Sequence, residues 1–200
     1  MYINSHLENN MIDLLECCIE KVIQVCAAQI NIGNQFIILL CIYRSPSGNF
    51  GEFAVLLDLI LKYLHKPKVE FIIYGDLNVN FLIDSSSAQQ LTLLLQSCNF
   101  FHIIDFPTRM TKVSNSATDN IFIDYNRINS FKVFSLINGL SDHEAQYLCI
   151  NNVFDQQTGN FRLVKKRLIR KSAVSVFIEM LKNESWDNII KTKFSTMLHF

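Results

Sequence analysis

Val69-Glu70-Phe71-Ile72-Ile73-Tyr74-Gly75-Asp76-Leu77-Asn78 is the stretch on which the reading of this chain turns. Val69 to Tyr74 is a short apolar run, rich in residues that favour strands and bounded by Lys66-Pro67-Lys68 and Gly75. Such a run is expected of a strand buried on both faces. Glycine then lets the backbone turn sharply. Asp76 and Asn78, two apart, would project the same way from an extended segment, so that one ion or one phosphate meets both. An ordinary Asx turn uses the same residues.

Working outward, the chain supplies a sheet with helices around it. Cys18 to Ile30 lacks helical spacing, Asn31-Ile32-Gly33-Asn34 reads as a turn, and Gln35 to Tyr43 is strongly apolar, which together predict a β-hairpin. Arg44-Ser45-Pro46-Ser47-Gly48 ends its second strand. Asn49 is an N-cap for a helix to about Leu64, with Phe53, Leu56, Leu57, Ile60, Leu61 and Leu64 on one face. Downstream, Ser85-Ser86-Ser87 caps a second helix over Ala88–Gln96. Phe101–Asp105, Ile121–Tyr125, Phe131–Ile137 and Gln146–Ile150 read as further strands, with a polar loop from Pro107 to Asn120. The plan is a sheet-rich core flanked by helices.

The last fifty residues differ. Phe161 to Lys171 carries six basic residues, and Val174, Phe177, Met180, Leu181 and Trp186 follow at roughly helical spacing. The boundary is placed near Phe154, giving a domain over 1–154 and a basic, then amphipathic, helical segment over 155–200. The basic run reads as a solvated helix face or linker, or as an arm touching phosphates.

Composition narrows the function classes. Eighteen basic residues balance eighteen acidic ones, so any attraction to nucleic acid has to be local. Six scattered cysteines without Cys-x-x-Cys spacing read as free thiols in a reducing, intracellular setting, nuclear or cytoplasmic. No stretch approaches a membrane span.

The chemistry-bearing residues fall at strand ends: Tyr43, Asp76 and Asn78, Asp119 and Asn120, and Ser141-Asp142-His143. An imidazole there can take or give a proton or meet a phosphate oxygen, and a second carboxylate can orient it through its other ring nitrogen. Arg44 and Arg109 are candidate phosphate contacts or surface residues. Singly, each of these groups is as well explained by a turn or a packing role.

Taken in order, the islands resemble the endonuclease/exonuclease/phosphatase superfamily, and within it the apurinic-type endonuclease domain of LINE-type (non-LTR, jockey-like) retrotransposons. The resemblance covers roughly residues 16–150. It rests on Tyr43-Arg44-Ser45-Pro46-Ser47-Gly48, Phe71 to Asn80, Phe106-Pro107-Thr108-Arg109, Ser116 to Phe122 and Leu140-Ser141-Asp142-His143. It implies an α+β fold, an αββα two-sheet sandwich whose strand-end loops meet at one acidic site. By matching position, Asp76 would align or deprotonate the attacking water and Asn78 would steady it. Asp119 would orient His143 on the scissile phosphate, Asp142 would help hold Mg²⁺ or Mn²⁺, and Tyr43 would stabilise the charged transition state. DNA is the implied substrate, and a reverse transcriptase domain the implied partner in an intact element.

One departure bears on activity. Family members carry, upstream of the Tyr-x-x-Pro region, an asparagine-bearing strand and a glutamate that is a principal metal ligand. Glu16 and Glu20 lie too close to Tyr43 to be that glutamate. The expectation is therefore a domain incomplete at its N-terminus, with weakened metal binding and weak or absent catalysis, or a non-catalytic nucleic-acid-binding remnant. An uncovered sheet edge would favour self-association.

Overall fold

A computed structural model describes residues 1–33, 35–66, 69–111, 113–136, 141–150 and 171–183. The chain divides into two units, Met1–Thr158 and Gly159–Phe200. The basic run up to Arg170, the boundary expected near Phe154 and Trp186 lie outside the described residues.

The first unit opens with β1 (Glu8–Ile12) and a 3-10 turn at Leu15–Cys17, then the predicted hairpin, β2 (Ile23–Ile32) and β3 (Gln35–Arg44). Helix α1 (Phe50–Leu64) follows, then β4 (Glu70–Asp76), α2 (Ser86–Ser97) and β5 (Phe100–His102). The region expected to be loop contains a small hairpin, β6 (Arg109–Met110) with β7 (Asn115–Ser116). Then come β8 (Asp119–Asp124), β9 (Phe131–Leu136) and β10 (Ala145–Ile150).

Both helix starts are capped as expected. The Asn49 side chain accepts from the Glu52 amide and the Ser85 hydroxyl from the Ala88 amide, each satisfying one orphan donor of a first turn.

The main sheet has six strands in the order β1-β2-β3-β4-β8-β5. β3 and β4 are parallel, with α1 as the crossover, while β4 and β8 are antiparallel. Its two faces bury different partners. Ile38, Leu40, Ile42, Phe71, Ile73 and Phe122 pack with Phe53, Leu57, Ile60 and Leu61 of α1 and Leu91 and Leu95 of α2. Full burial of each such side chain is worth roughly 1.5–3 kcal/mol. On the opposite face Ile37, Ile72, Ile121 and Ile123 meet Phe131, Val133, Leu148 and Ile150 of the antiparallel pair β9–β10. The layers are thus helix, sheet and sheet, in line with the expected α+β two-sheet sandwich.

Two details depart from the sequence reading. β1 was not foreseen, because Glu8-Asn9-Asn10-Met11-Ile12 lacks the residues that announce a strand. It exists because β2 offers it an antiparallel partner from Ala27 to Asn31. The strand expected over Phe101–Asp105 ends at His102, after which Ile103 still donates its amide to the Ile121 carbonyl.

In the second unit, α3 spans Lys171–Asn183 and exposes Phe177, Ile178 and Met180. No described helix is long and apolar enough to cross a membrane.

Candidate active site

Strand register builds the site. Tyr43 of β3 lies directly opposite Asp76 of β4, and Asp76 directly opposite Asp119 of β8. Residues paired in this way share a face of the sheet. The same face carries Cys41, Tyr74 and Ile121 two positions back, so the polar row is the rim of an apolar surface. A cavity of about 480 Å³ opens beneath it, lined in part by Tyr74, Gly75, Asp119 and Leu148.

Gly75 is required by backbone approach. It has φ +148°, and a Cβ there would lie 1.8 Å from the Ile42 carbonyl oxygen of β3. No side chain fits, so β3 and β4 hold Tyr43 and Asp76 side by side only with glycine at this position.

Beyond Asp76 the chain turns. Asn78 has φ +49°, in the left-handed region, and donates its amide to Asp76 Oδ1 at 3.0 Å. Its Nδ2 donates to the Arg44 carbonyl at 2.8 Å and to Asp76 Oδ2 at 3.3 Å. The expectation that Asn78 projects beside Asp76 from extended chain is corrected: it caps and orients the carboxylate from behind. Left-handed backbone suits asparagine for this role.

Arg44 fixes that turn from below. It is 7% exposed, its guanidinium 5.4 Å from the Phe50 ring centroid and 5.7 Å from that of Phe53. It donates to the carbonyls of Leu77, Asn78 and Gly48, and its buried Nε has no partner among the described residues. Burial lowers its pKa from the usual arginine range, and Asp76 pulls the other way. Arg44 is a structural clamp rather than a phosphate contact.

Asp119 joins the row to the Ser141-Asp142-His143 segment. Its Oδ2 lies 2.8 Å from His143 Nδ1 and accepts from the hydroxyls of Thr108 at 3.0 Å and Thr118 at 3.4 Å. The Thr108 oxygen in turn accepts the Asp119 amide. His143 is delivered by backbone pairing: Arg109 and His143 form an antiparallel bridge, with Met110 N–H to the Asp142 carbonyl and Glu144 N–H to the Thr108 carbonyl. Thr108 is fully buried and was missed as a site residue. Its signal was present in Pro107-Thr108-Arg109, but nothing local gives that hydroxyl a carboxylate partner.

Among the described residues one group of metal-capable side chains emerges, Asp76, Asp119 and His143, with ligand atoms all within 4.8 Å of one another. Asp142, the expected ligand, is placed differently. Its carboxylate is exposed and bound by Arg109 Nε at 2.7 Å, which lowers its pKa. The Asp76 carboxyl is raised above its ordinary range, first by burial and further by the charge of Asp119. The Asn78 amide, His143 and Arg109 oppose that rise. The adjacent carboxylates of Asp76 and Asp119 are what a cation would bridge. Asn120, by contrast, is fully buried and accepts the Ile104 amide at 3.3 Å, a structural role.

Solved structures with this architecture include the endonuclease domain of TRAS1, a telomere-specific non-LTR retrotransposon. The match has TM-score 0.61 and 16% identity over 74% of this chain and 70% of that one. This is the endonuclease/exonuclease/phosphatase fold. A second example is the 3′-5′ exonuclease NExo from Neisseria meningitidis, at TM-score 0.52 and 13% identity, with 64% of this chain and 65% of that one covered. NExo has also been captured as a 3′ phosphatase bound to a product DNA hairpin. At these identities the likeness establishes the fold. No family model and no curated protein matches the sequence. In this fold the row Tyr43, Asp76, Asp119 and the appended His143 occupy the rim of the sandwich, where β3 and β4 end and β8 begins.

Proposed function

We propose that the domain is a divalent-metal-dependent phosphodiesterase that nicks DNA, of the kind found in non-LTR retrotransposons. The observation that carries this reading is the Asp119–His143 pair, 2.8 Å apart and set beside Asp76 on the same sheet face. Turning Nδ1 to the carboxylate assigns the chemistry to Nε2, which would meet a non-bridging phosphate oxygen or protonate a leaving group. Asp76, its carboxyl raised above the ordinary range by burial, would align the attacking water or accept its proton. Tyr43, 43% exposed at the end of β3, would place a phenol against the developing charge.

The donor set fits a hard cation in its carboxylates, since Asp76 and Asp119 place oxygens within one coordination span, with His143 beside them. Mg²⁺ or Mn²⁺ bound there would polarise the phosphate. Affinity should be modest, because Asp119 Oδ2 already serves His143 and two threonines, and Asp142 serves Arg109. The product on this reading is a nick with a 3′-hydroxyl, and a reverse transcriptase would use it.

The likeness to TRAS1 endonuclease supports DNA as substrate, and NExo makes removal of a 3′ phosphate the competing activity. Incubation with supercoiled plasmid and Mn²⁺ should yield open circles, slowed by about 10²–10⁴-fold in His143→Ala. Release of phosphate from 3′-phosphorylated DNA with no plasmid nicking would replace this proposal with the phosphatase reading.

A further inference from the structure

On the same sheet face as the polar row, one step farther from the rim, lie two thiols that the proposed chemistry does not use. Cys26 of β2 is directly opposite Cys41 of β3, and Cys41 directly opposite Tyr74 of β4. Cross-strand partners have Cα atoms about 4.5–5.5 Å apart. Disulfides span about 4.4–6.8 Å between Cα atoms, so this pair meets the requirement without backbone movement. All six cysteines are reduced and half-buried, so neither thiol is sealed in the core.

Burial pushes the Cys41 thiol up from its ordinary range, which favours Cys26 as the first of the two to react.

We infer that Cys26 and Cys41 are a dithiol modification site, closed to a reversible cross-strand disulfide by peroxide-class oxidants. The Cys26 sulfur attacks one peroxide oxygen, the O–O bond breaks, and the hydroxide leaves as water with the Cys26 proton, giving a sulfenic acid. The Cys41 sulfur then attacks the Cys26 sulfur and the S–O bond breaks. The departing hydroxide leaves as water with the Cys41 proton. Two thiols lose two electrons and hydrogen peroxide becomes two waters. Ordinary thiols would undo the bond by thiol–disulfide exchange.

Native full-length protein treated with hydrogen peroxide should lose about 2 Da, restored by dithiothreitol, because the bond is formed by thiol oxidation and undone by exchange. Peptide mapping should place the link between Cys26 and Cys41. The same link should form when Cys17, Cys18, Cys98 and Cys149 are all serine. A native product linked elsewhere, or one that gains oxygen without any link, would overturn the inference. The test uses neither metal nor DNA, so it stands or falls apart from the phosphodiesterase reading.

Discussion

Asp76 shows at residue scale how a site conflicts with stability. Its carboxyl is half-buried beside Asp119, and its folded pKa is raised above the ordinary 3.8. As pH rises past 3.8 the unfolded chain releases this proton first, so the native state holds more protons and stability falls through that window. At neutral pH the native fold carries the full penalty. Asp76→Asn keeps the oxygen that accepts the Asn78 amide and removes the charge. Without divalent metal, its urea midpoint should exceed that of the parent at pH 7, with the gap closing as pH falls toward 3.8. An equal gap at both pH values would show that the charge is not the cause. Asp76, Asp119 and His143 were legible in the sequence because polar residues at the ends of apolar strands have few core roles. Thr108 and the left-handed conformation of Asn78 were not, since their partners Asp119 and Arg44 are 11 and 34 residues away.

At the scale of elements, the close approach of β3 and β4 governs the row. Gly75→Ala places a methyl 1.8 Å from the Ile42 carbonyl oxygen, and at φ +148° the alanine is strained as well. The strands have to separate, at a cost of about 3 kcal/mol. Denaturant unfolding should show that loss, and metal binding should weaken with it because Tyr43 and Asp76 move apart. A stability within about 0.5 kcal/mol of the parent would contradict the packing described here. Both helices and the hairpin were readable from caps and periodicity, which are local signals. β1 and the β6–β7 hairpin were not, because Glu8-Asn9-Asn10 and Arg109-Met110 become strands only where β2, β7 and the Asp142–Glu144 segment supply partners.

For the molecule as a whole, the two faces of the central sheet divide the labour. One is closed by α1 and α2 and forms the larger core; the other meets β9–β10 and carries the polar row at its rim. Net charge is zero, so affinity for a polyanion has to arise from a bound cation and local basic residues rather than a global field. The central claim is that the Asp76 and Asp119 carboxylates form one cation site, with His143 oriented beside it. Calorimetric titration of the purified chain with Mn²⁺, beside Asp76→Ala, tests it most directly. The account predicts one weak binding event in the parent that disappears in the variant; no binding in either, or equal binding in both, would contradict it.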